Sequence, residues 1–152
     1  MNIQTGCLFL LAVTMVACDR QADNANAATN AASNNVSVSE QKTKEVLDHH
    51  WEAFKQNDLE ETMKDYTDQS VLITPNATYR GLTEIRENFV NAFKAFPKDS
   101  TAFTLDKSIV VNDVGYILWK AKTPGFNLSF GTDTFIIRDG RIERQTFGGV
   151  FE

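Results

Sequence analysis

Residues 126–151 read FNLSFGTDTFIIRDGRIERQTFGGVF, and this stretch decides the fold of the chain. Two runs rich in β-branched and aromatic residues flank Asp139 and Gly140, a pattern that predicts a β-hairpin with a tight turn. Asp133 interrupts the first run, although Asp is disfavoured inside strands. The position of Asp133 therefore needs a reason other than strand propensity.

The register of this hairpin decides what Asp133 faces. A two-residue turn at Asp139 and Gly140 places Thr146 opposite Asp133, whereas a three-residue loop places Gln145 there. A slip of one residue exchanges the two faces of a strand. Both registers are open from the sequence, and so are an interior and a solvent-facing Asp133.

The amino-acid composition of the chain excludes several classes of function. The 152 residues are enough for one domain with a sizeable core, and eleven of them are Phe. The net charge is −5 and no stripe of Lys and Arg is visible, so we expect no nucleic-acid partner. Cys7 and Cys18 are the only cysteines, so the domain that follows them has no disulfide, thiolate nucleophile or Cys metal ligand.

Residues 1–18 are typical of a signal peptide. The apolar run 7–17 is shorter than the roughly 20 residues that a spanning helix needs. The letters MVAC at 15–18 resemble a bacterial lipobox, in which the Cys, here Cys18, carries lipid and becomes the first mature residue. Residues 1–6 contain no Lys or Arg, which leaves an ordinary signal peptide as the alternative. We predict a lipoprotein of the cell envelope, anchored to the membrane and facing the periplasm, or a secreted protein if Cys18 is not lipidated.

The next segments predict a connector and two helices. Residues 19–38 are rich in Asn and Ala and contain no aromatic residue, which favours a flexible tether. Ser37 and Glu40 fit a capping box, so we predict that the first helix begins there and runs to about Gln56. Asn57 suits a left-handed helix end, and Asp58 suits the cap of a short second helix.

Residues 39–152 then form one predicted domain. A short strand at 71–73 precedes a third helix with one apolar face, formed by Ile85, Phe89, Ala92, Phe93 and Phe96. From Thr101 on, apolar residues recur with a period of two, which predicts four longer strands. Helices first and a meander last indicate an α+β fold with three N-terminal helices packed on a curved antiparallel sheet. Such packing leaves room for a pocket between helices and sheet.

Four segments carry a resemblance to a known family: residues 54–59, 66–71, 79–86 and 135–142. With them, residues from about 39 to 151 resemble the SnoaL-like, or NTF2-like, superfamily. The resemblance implies the NTF2-like cone. It does not select a function, because this fold hosts isomerases, cyclases, dehydratases and many non-enzymes.

Three catalytic positions of the steroid Δ-isomerases of this superfamily can be compared with this sequence. Their general base, an Asp before the proline of the first strand, is replaced by Thr74 before Pro75. Their oxyanion Tyr falls at His50, and their protonated second donor falls at Asp133. Because Thr74 cannot act as that base, we do not expect steroid isomerisation by that mechanism, although the resemblance implies a similar pocket.

Two residues are therefore candidates for chemistry. His50 lies on the apolar face of the first helix, and with an ordinary pKa near 6.5 it suits an acid or a base. The alternative is a core histidine with a satisfied hydrogen bond. Asp133, if it faces an apolar cavity, is favoured in its neutral, proton-donating form. As ligand-binding residues we predict Trp51, Phe54, Thr74, Trp119, Phe135 and Gln145.

Three functions are compatible with these residues. The first is a binding module for a small apolar or amphipathic ligand, favoured by the aromatic interior and the missing base. The second is a cofactor-free isomerase, cyclase or dehydratase that uses His50 and Asp133 as an acid–base pair. The third is a homodimeric interaction domain. We expect no cofactor and no metal, because two His without a spaced carboxylate cluster make a poor metal site.

Overall fold

The structure is a computed structural model. It describes the secondary structure of residues 22–152 and the burial of side chains from residue 39 on. The predicted signal peptide, the lipidation site Cys18 and the first residues of the tether lie outside the described residues. Within the described part of the chain the helices are α1 (Ala22–Lys55), α2 (Leu59–Lys64) and α3 (Gly81–Ala95). No helix of this part is long and apolar enough to cross a membrane.

The first helix begins earlier than predicted. It starts at Ala22 and not at Ser37, so residues 22–38 are helical where we predicted flexible chain. Ala has the highest helix propensity, and an Ala-rich segment extends a helix that is already formed. Glu40 closes no capping box, because its Oε1 accepts a hydrogen bond from the backbone N of Asn112 at 3.0 Å. That residues 19–38 connect the leader to the domain stays a prediction.

The junction between α1 and α2 follows the prediction. Asn57 has a positive φ of 53°, the left-handed conformation that ends a helix. The Asp58 side chain accepts a hydrogen bond from the backbone N of Glu61 at 3.0 Å and caps α2. Two local sequence signals thus fix where the chain turns back.

Six strands of the described residues 22–152 form one sheet in the order β2-β1-β6-β5-β4-β3. Their bounds are β1 Val71–Ile73, β2 Thr78–Arg80, β3 Ala102–Val111, β4 Val114–Lys122, β5 Asn127–Arg138 and β6 Arg141–Phe151. The predicted α+β class and the curved, largely antiparallel sheet are confirmed. Two details differ, since β1 runs parallel to β6, and residues 78–80, for which no strand was predicted, form β2 against β1.

The closing hairpin has the predicted turn but neither predicted register. Asp139 and Gly140 have φ of 51° and 72°, as a two-residue type I′ turn requires. A β-bulge at Glu143 then shifts the pairing by one residue, because Ile137 pairs with Ile142 but Ile136 pairs with Arg144. Asp133 consequently lies opposite Phe147, and both Thr146 and Gln145 were wrong as its partner.

The inner face of the sheet packs against the three helices. Leu47, Ile85 and Phe89 are buried from the helical side, and Trp119 and Phe135 from the sheet side. Many of the aromatic side chains meet here edge to face, with ring centroids 5–6 Å apart, as aromatic pairs prefer. This layer surrounds a cavity.

Candidate functional site

A cavity of about 440 Å³ lies between the helices and the inner face of the sheet. The elements around it are α1, α3, strands β1 and β2 with the turn between them, and strands β4 to β6. Most of its wall is aromatic or aliphatic, and the polar side chains that line it are His50, Thr74, Asn76, Tyr79, Asn88, Asp133 and Gln145. A mostly apolar, concave site with a few polar groups is typical of small-molecule binding.

The predicted catalytic and ligand-binding residues all line this cavity: His50, Asp133, Trp51, Phe54, Thr74, Trp119, Phe135 and Gln145. Other parts of the wall were not foreseen from the sequence, among them Asn76, Tyr79, Asn88, Phe147 and Phe151. Tyr79 reaches the cavity because β2 joins the sheet, and Phe147 because the bulge places it opposite Asp133. Both depend on strand pairings that no local pattern indicated.

Asp133 is the buried acid of the cavity, with 5% of its surface exposed. Its Oδ1 accepts a hydrogen bond from Nε2 of Gln145, and its Oδ2 accepts one from Nε1 of Trp119, each at 2.8 Å. Burial raises the pKa of Asp133 to about 6, and the hydrogen bonds from Gln145 and Trp119 oppose that rise. Near neutral pH this carboxyl group can therefore exchange its proton.

Trp119 reaches Asp133 because the neighbouring strand has no side chain at Gly131. Gly131 pairs with Trp119 across β4 and β5, and the indole ring lies against its backbone. A Cβ at Gly131 would be 3.0 Å from Cε2 of Trp119 and 2.7 Å from Cδ2 of Leu128. A glycine is thus required for the position of the indole N–H.

His50 forms a pair with Asp65 beneath the cavity wall. Nδ1 of His50 lies 3.2 Å from Oδ2 of Asp65, and both side chains are buried. Asp65 is the C-cap residue of α2, and its carbonyl oxygen accepts a hydrogen bond from the backbone N of Ile142 at 2.7 Å. A carboxylate that accepts from one ring nitrogen orients the imidazole and fixes the role of the other nitrogen.

Tyr66 and Gln145 connect the two ends of the site. Nε2 of His50 lies 3.4 Å from Oη of Tyr66, and that hydroxyl donates to Oε1 of Gln145. Gln145 in turn donates to Asp133. Burial raises the pKa of Tyr66 well above its ordinary value, and the charges of Asp133 and Asp65 add to the rise, so the phenol stays protonated. His50 and Asp133 are not in direct contact, but a continuous hydrogen-bond chain joins them.

The sequence did not identify Asp65 as part of the site. A buried histidine needs a hydrogen-bond partner, and the acidic residues at the end of α2 were the nearest source in the fold. His49 is not part of the cavity wall, and its Nδ1 lies 2.8 Å from Oδ1 of Asp65. Burial works against its charge, yet the hydrogen bonds and charges of Asp65 and Glu61 outweigh burial and raise the pKa of His49.

The described cavity wall has an acidic side chain but no permanently cationic one. Among the residues that the structure describes, the wall contains Asp133 but neither Lys nor Arg. Within the same residues, no group of three or more His, Cys, Asp and Glu is arranged to hold a metal ion. The polar groups of the cavity are therefore an acid, an imidazole, amides and hydroxyls.

Comparison with known families agrees with this architecture. The sequence model of the SnoaL-like domain family matches residues 47–145. Because this match covers more than half of the chain, the chain belongs to the SnoaL-like domain family. Among curated proteins, none matches this chain.

Solved structures show the same fold. A candidate polyketide cyclase from Sinorhizobium meliloti is 24% identical, with 68% of this chain and 94% of that chain covered and a TM-score of 0.60. A candidate ketosteroid isomerase from Kribbella flavida is 12% identical, with 73% and 79% covered and a TM-score of 0.62. An NTF2-like protein from Mesorhizobium loti is 19% identical, with 73% and 93% covered and a TM-score of 0.63. At these identities the likeness shows the NTF2-like fold alone.

Proposed function

We propose that this SnoaL-like domain binds a small, uncharged and largely apolar molecule in the cavity between its helices and its sheet. The observation that carries the proposal is the Asp133 carboxyl group, which is 5% exposed on an aromatic wall around about 440 Å³. A purely structural interior would be filled by side chains at close-packed density. A space of this size with convergent polar groups supports a ligand.

The charges of the wall support an uncharged ligand. An anion would meet Asp133 without a Lys or Arg side chain among the described lining residues to neutralise it. A ligand hydroxyl, in contrast, could donate to Asp133, while Asn76 and Asn88 offer amide groups to a carbonyl or hydroxyl oxygen. Alcohols, phenols and carbonyl compounds on an apolar skeleton fit this wall.

A matched pair of probes tests this proposal. We expect 2-naphthol, neutral at pH 7, to shift the indole N–H NMR signal of Trp119, and 2-naphthoate, an anion of similar shape, to bind at least about tenfold more weakly. Ala92→Trp places a large side chain on the cavity wall, whereas Ala95→Trp places it on the exposed side of the same helix. Binding should be lost in the first variant and kept in the second.

Two results contradict the proposal. One is that 2-naphthoate binds as tightly as 2-naphthol, which would mean that the wall does not select against anions. The other is that 2-naphthol binding is the same in Ala92→Trp and Ala95→Trp, which would place the bound probe outside the cavity.

A second candidate function is acid–base catalysis on a carbonyl compound, by a cofactor-free isomerase, cyclase or dehydratase. The observation that favours it is the Asp65–His50 pair, because the carboxylate orients an imidazole whose ring lines the cavity. Asp133 lines the same cavity, and a pKa of about 6 suits a group that exchanges a proton near neutral pH.

Deuterium exchange tests this second function without a known substrate. We expect the wild type to accelerate α-proton exchange of 2-tetralone in D₂O, and His50→Gln to abolish the acceleration. Asp48→Asn, a change at an exposed residue of the same helix, serves as the control. A rate equal to the buffer rate, or an undiminished rate in His50→Gln, contradicts catalysis by His50.

For assembly we propose a homodimer through the outer face of the sheet. Ile109 and Val111 on β3 support it, because they are 42% and 55% exposed and pair with Tyr116 and Val114 on the same face. Val111→Lys should then produce a monomer in light-scattering measurements. A monomeric wild type at micromolar concentration contradicts the dimer.

A further inference from the structure

The hydrogen-bond chain from His50 to Asp133 has a property that its separate contacts do not have. Tyr66 has a single hydroxyl proton, and Gln145 has its oxygen on one side and its NH₂ group on the other. Each of these residues can therefore donate in only one direction along the chain at a time. The direction of donation at one end of the chain therefore determines whether the group at the other end carries a proton.

The first direction is the one seen in the structure. Tyr66 donates to Oε1 of Gln145, and Gln145 donates from Nε2 to Oδ1 of Asp133. Oη of Tyr66 then offers a lone pair to His50, and Asp65 offers another from the opposite side. All contacts are satisfied when His50 carries protons on both ring nitrogens and Asp133 is a carboxylate.

The second direction is the reverse of the first. If the amide of Gln145 turns over, its Nε2 donates to Tyr66, and Tyr66 donates to Nε2 of His50. The imidazole then keeps one proton, on Nδ1 toward Asp65, and is neutral. Oε1 of Gln145 now faces Oδ1 of Asp133, so that contact requires a protonated carboxyl group. Between the two states His50 loses one proton and Asp133 gains one, while Tyr66 and Gln145 keep theirs.

We infer that His50 and Asp133 share a single proton through Tyr66 and Gln145, with the amide orientation of Gln145 selecting which end holds it. While the pair holds one proton, a neutral His50 is paired with a protonated Asp133, which makes one end a base when the other is an acid. A ligand that requires a carboxylate at Asp133 would make His50 an imidazolium, and a ligand that accepts a proton from Asp133 would leave His50 neutral.

The surroundings of the chain support this coupling. Asp133 is buried, which raises its pKa to about 6, into the range where histidines titrate. Asp65 faces both histidines, since its Oδ1 lies 2.8 Å from His49 and its Oδ2 lies 3.2 Å from His50. The His49 side chain is 41% exposed and also contacts Glu61. The hydrogen-bond chain therefore reaches solvent through Asp65 and His49, on the side away from the cavity. The remaining titratable group of the described wall is Tyr79 on β2.

Two-site NMR titration of the isotope-labelled protein tests the inference. Coupled groups titrate in two macroscopic steps that both groups report. We expect the imidazole ¹⁵N shifts of His50 and the carboxyl ¹³C shift of Asp133 to show the same two inflections in the wild type. Tyr66→Phe removes the linking hydroxyl, and each signal should then show one inflection of its own. Tyr79→Phe removes a hydroxyl of the same wall that lies outside the chain and should leave two inflections.

Other outcomes overturn the inference. Independent single inflections in the wild type would show that the two groups do not share a proton. Gln145→Met interrupts the chain at a second point and replaces Tyr66→Phe as the test if that variant does not fold. If the two shared inflections survive in Tyr66→Phe, or in Gln145→Met where that variant is used, charge alone couples the groups, without the hydrogen-bond chain.

Discussion

Trp119 and Asp133 lie on neighbouring strands, and the indole N–H of Trp119 donates to Oδ2 of Asp133 at 2.8 Å. Both side chains are buried, at 3% and 5% exposed. An aromatic side chain of the cavity wall is therefore hydrogen-bonded directly to the one carboxyl group among the described lining residues, and this group is shielded from bulk water.

Asp133→Asn should flatten the dependence of stability on pH. Burial raises the pKa of Asp133 from 3.8 to about 6, so the native state holds its proton to higher pH than the unfolded state does. The stability from this group is fully present below the unfolded pKa and is lost as pH rises through the folded pKa. The wild type should thus lose up to about 3 kcal/mol of unfolding free energy between about pH 4 and pH 7. Urea denaturation across this range measures the loss.

The control for this prediction is Asp99→Asn, a change at an exposed aspartate. It should follow the wild-type pH profile. A profile of Asp133→Asn that also follows the wild type would show that Asp133 does not take up a proton on folding.

Gly131→Ala should displace Trp119 and destabilise the fold. The added Cβ would lie 2.7 Å from Leu128 and 3.0 Å from the indole, so the side chains must move. Overpacking of this kind costs about 1–3 kcal/mol. Gly125→Ala is the matched control, because no atom lies within 4 Å of its added Cβ. Chemical denaturation and the Trp119 indole signal report both effects, and equal stability of the two variants would contradict the packing described.

Phe89→Ala should cost about 3–5 kcal/mol of unfolding free energy, because Phe89 is 3% exposed on the inner face of α3. We predicted the same face for Phe93, which is only partly buried, so Phe93→Ala should cost less. Val90→Ala, at a residue 36% exposed on the same helix, should change stability by less than about 1 kcal/mol. A loss below about 1 kcal/mol in Phe89→Ala would mean that the helix face is wrong.

Cys18→Ser tests the predicted location in the cell envelope. If Cys18 is the lipidated residue, the variant should lack lipid and be either uncleaved or soluble. Fractionation and the mass of the mature N-terminus are the measurements. Unchanged partitioning of the variant into the membrane would count against lipidation at this residue.

Local signals were enough for much of the fold. Asp139 and Gly140 predicted the turn because both positions need positive φ, and Asn57 and Asp58 predicted the helix junction for similar local reasons. The bulge at Glu143 could not be predicted in this way. It lies in β6, which pairs with both β1 and β5, and these pairings join residues far apart in the sequence.

The site was predictable where one helix or strand face defined it. His50 and Trp51 follow from the apolar face of α1, and Asp133 from its odd place in a strand. Asp65 was missed, because its role depends on the packing of α2 beneath α1, where its carboxyl group meets two histidines. Contacts between side chains far apart in sequence leave no periodic pattern.

Native mass spectrometry of the protein purified from its natural source tests ligand binding in the cavity most directly. We predict that the wild type and Ala95→Trp each carry an uncharged small molecule of defined mass, and that Ala92→Trp, with its cavity filled, carries none. A wild-type protein that has only its own mass, or an Ala92→Trp variant that keeps the same bound molecule, would contradict a ligand site in this cavity.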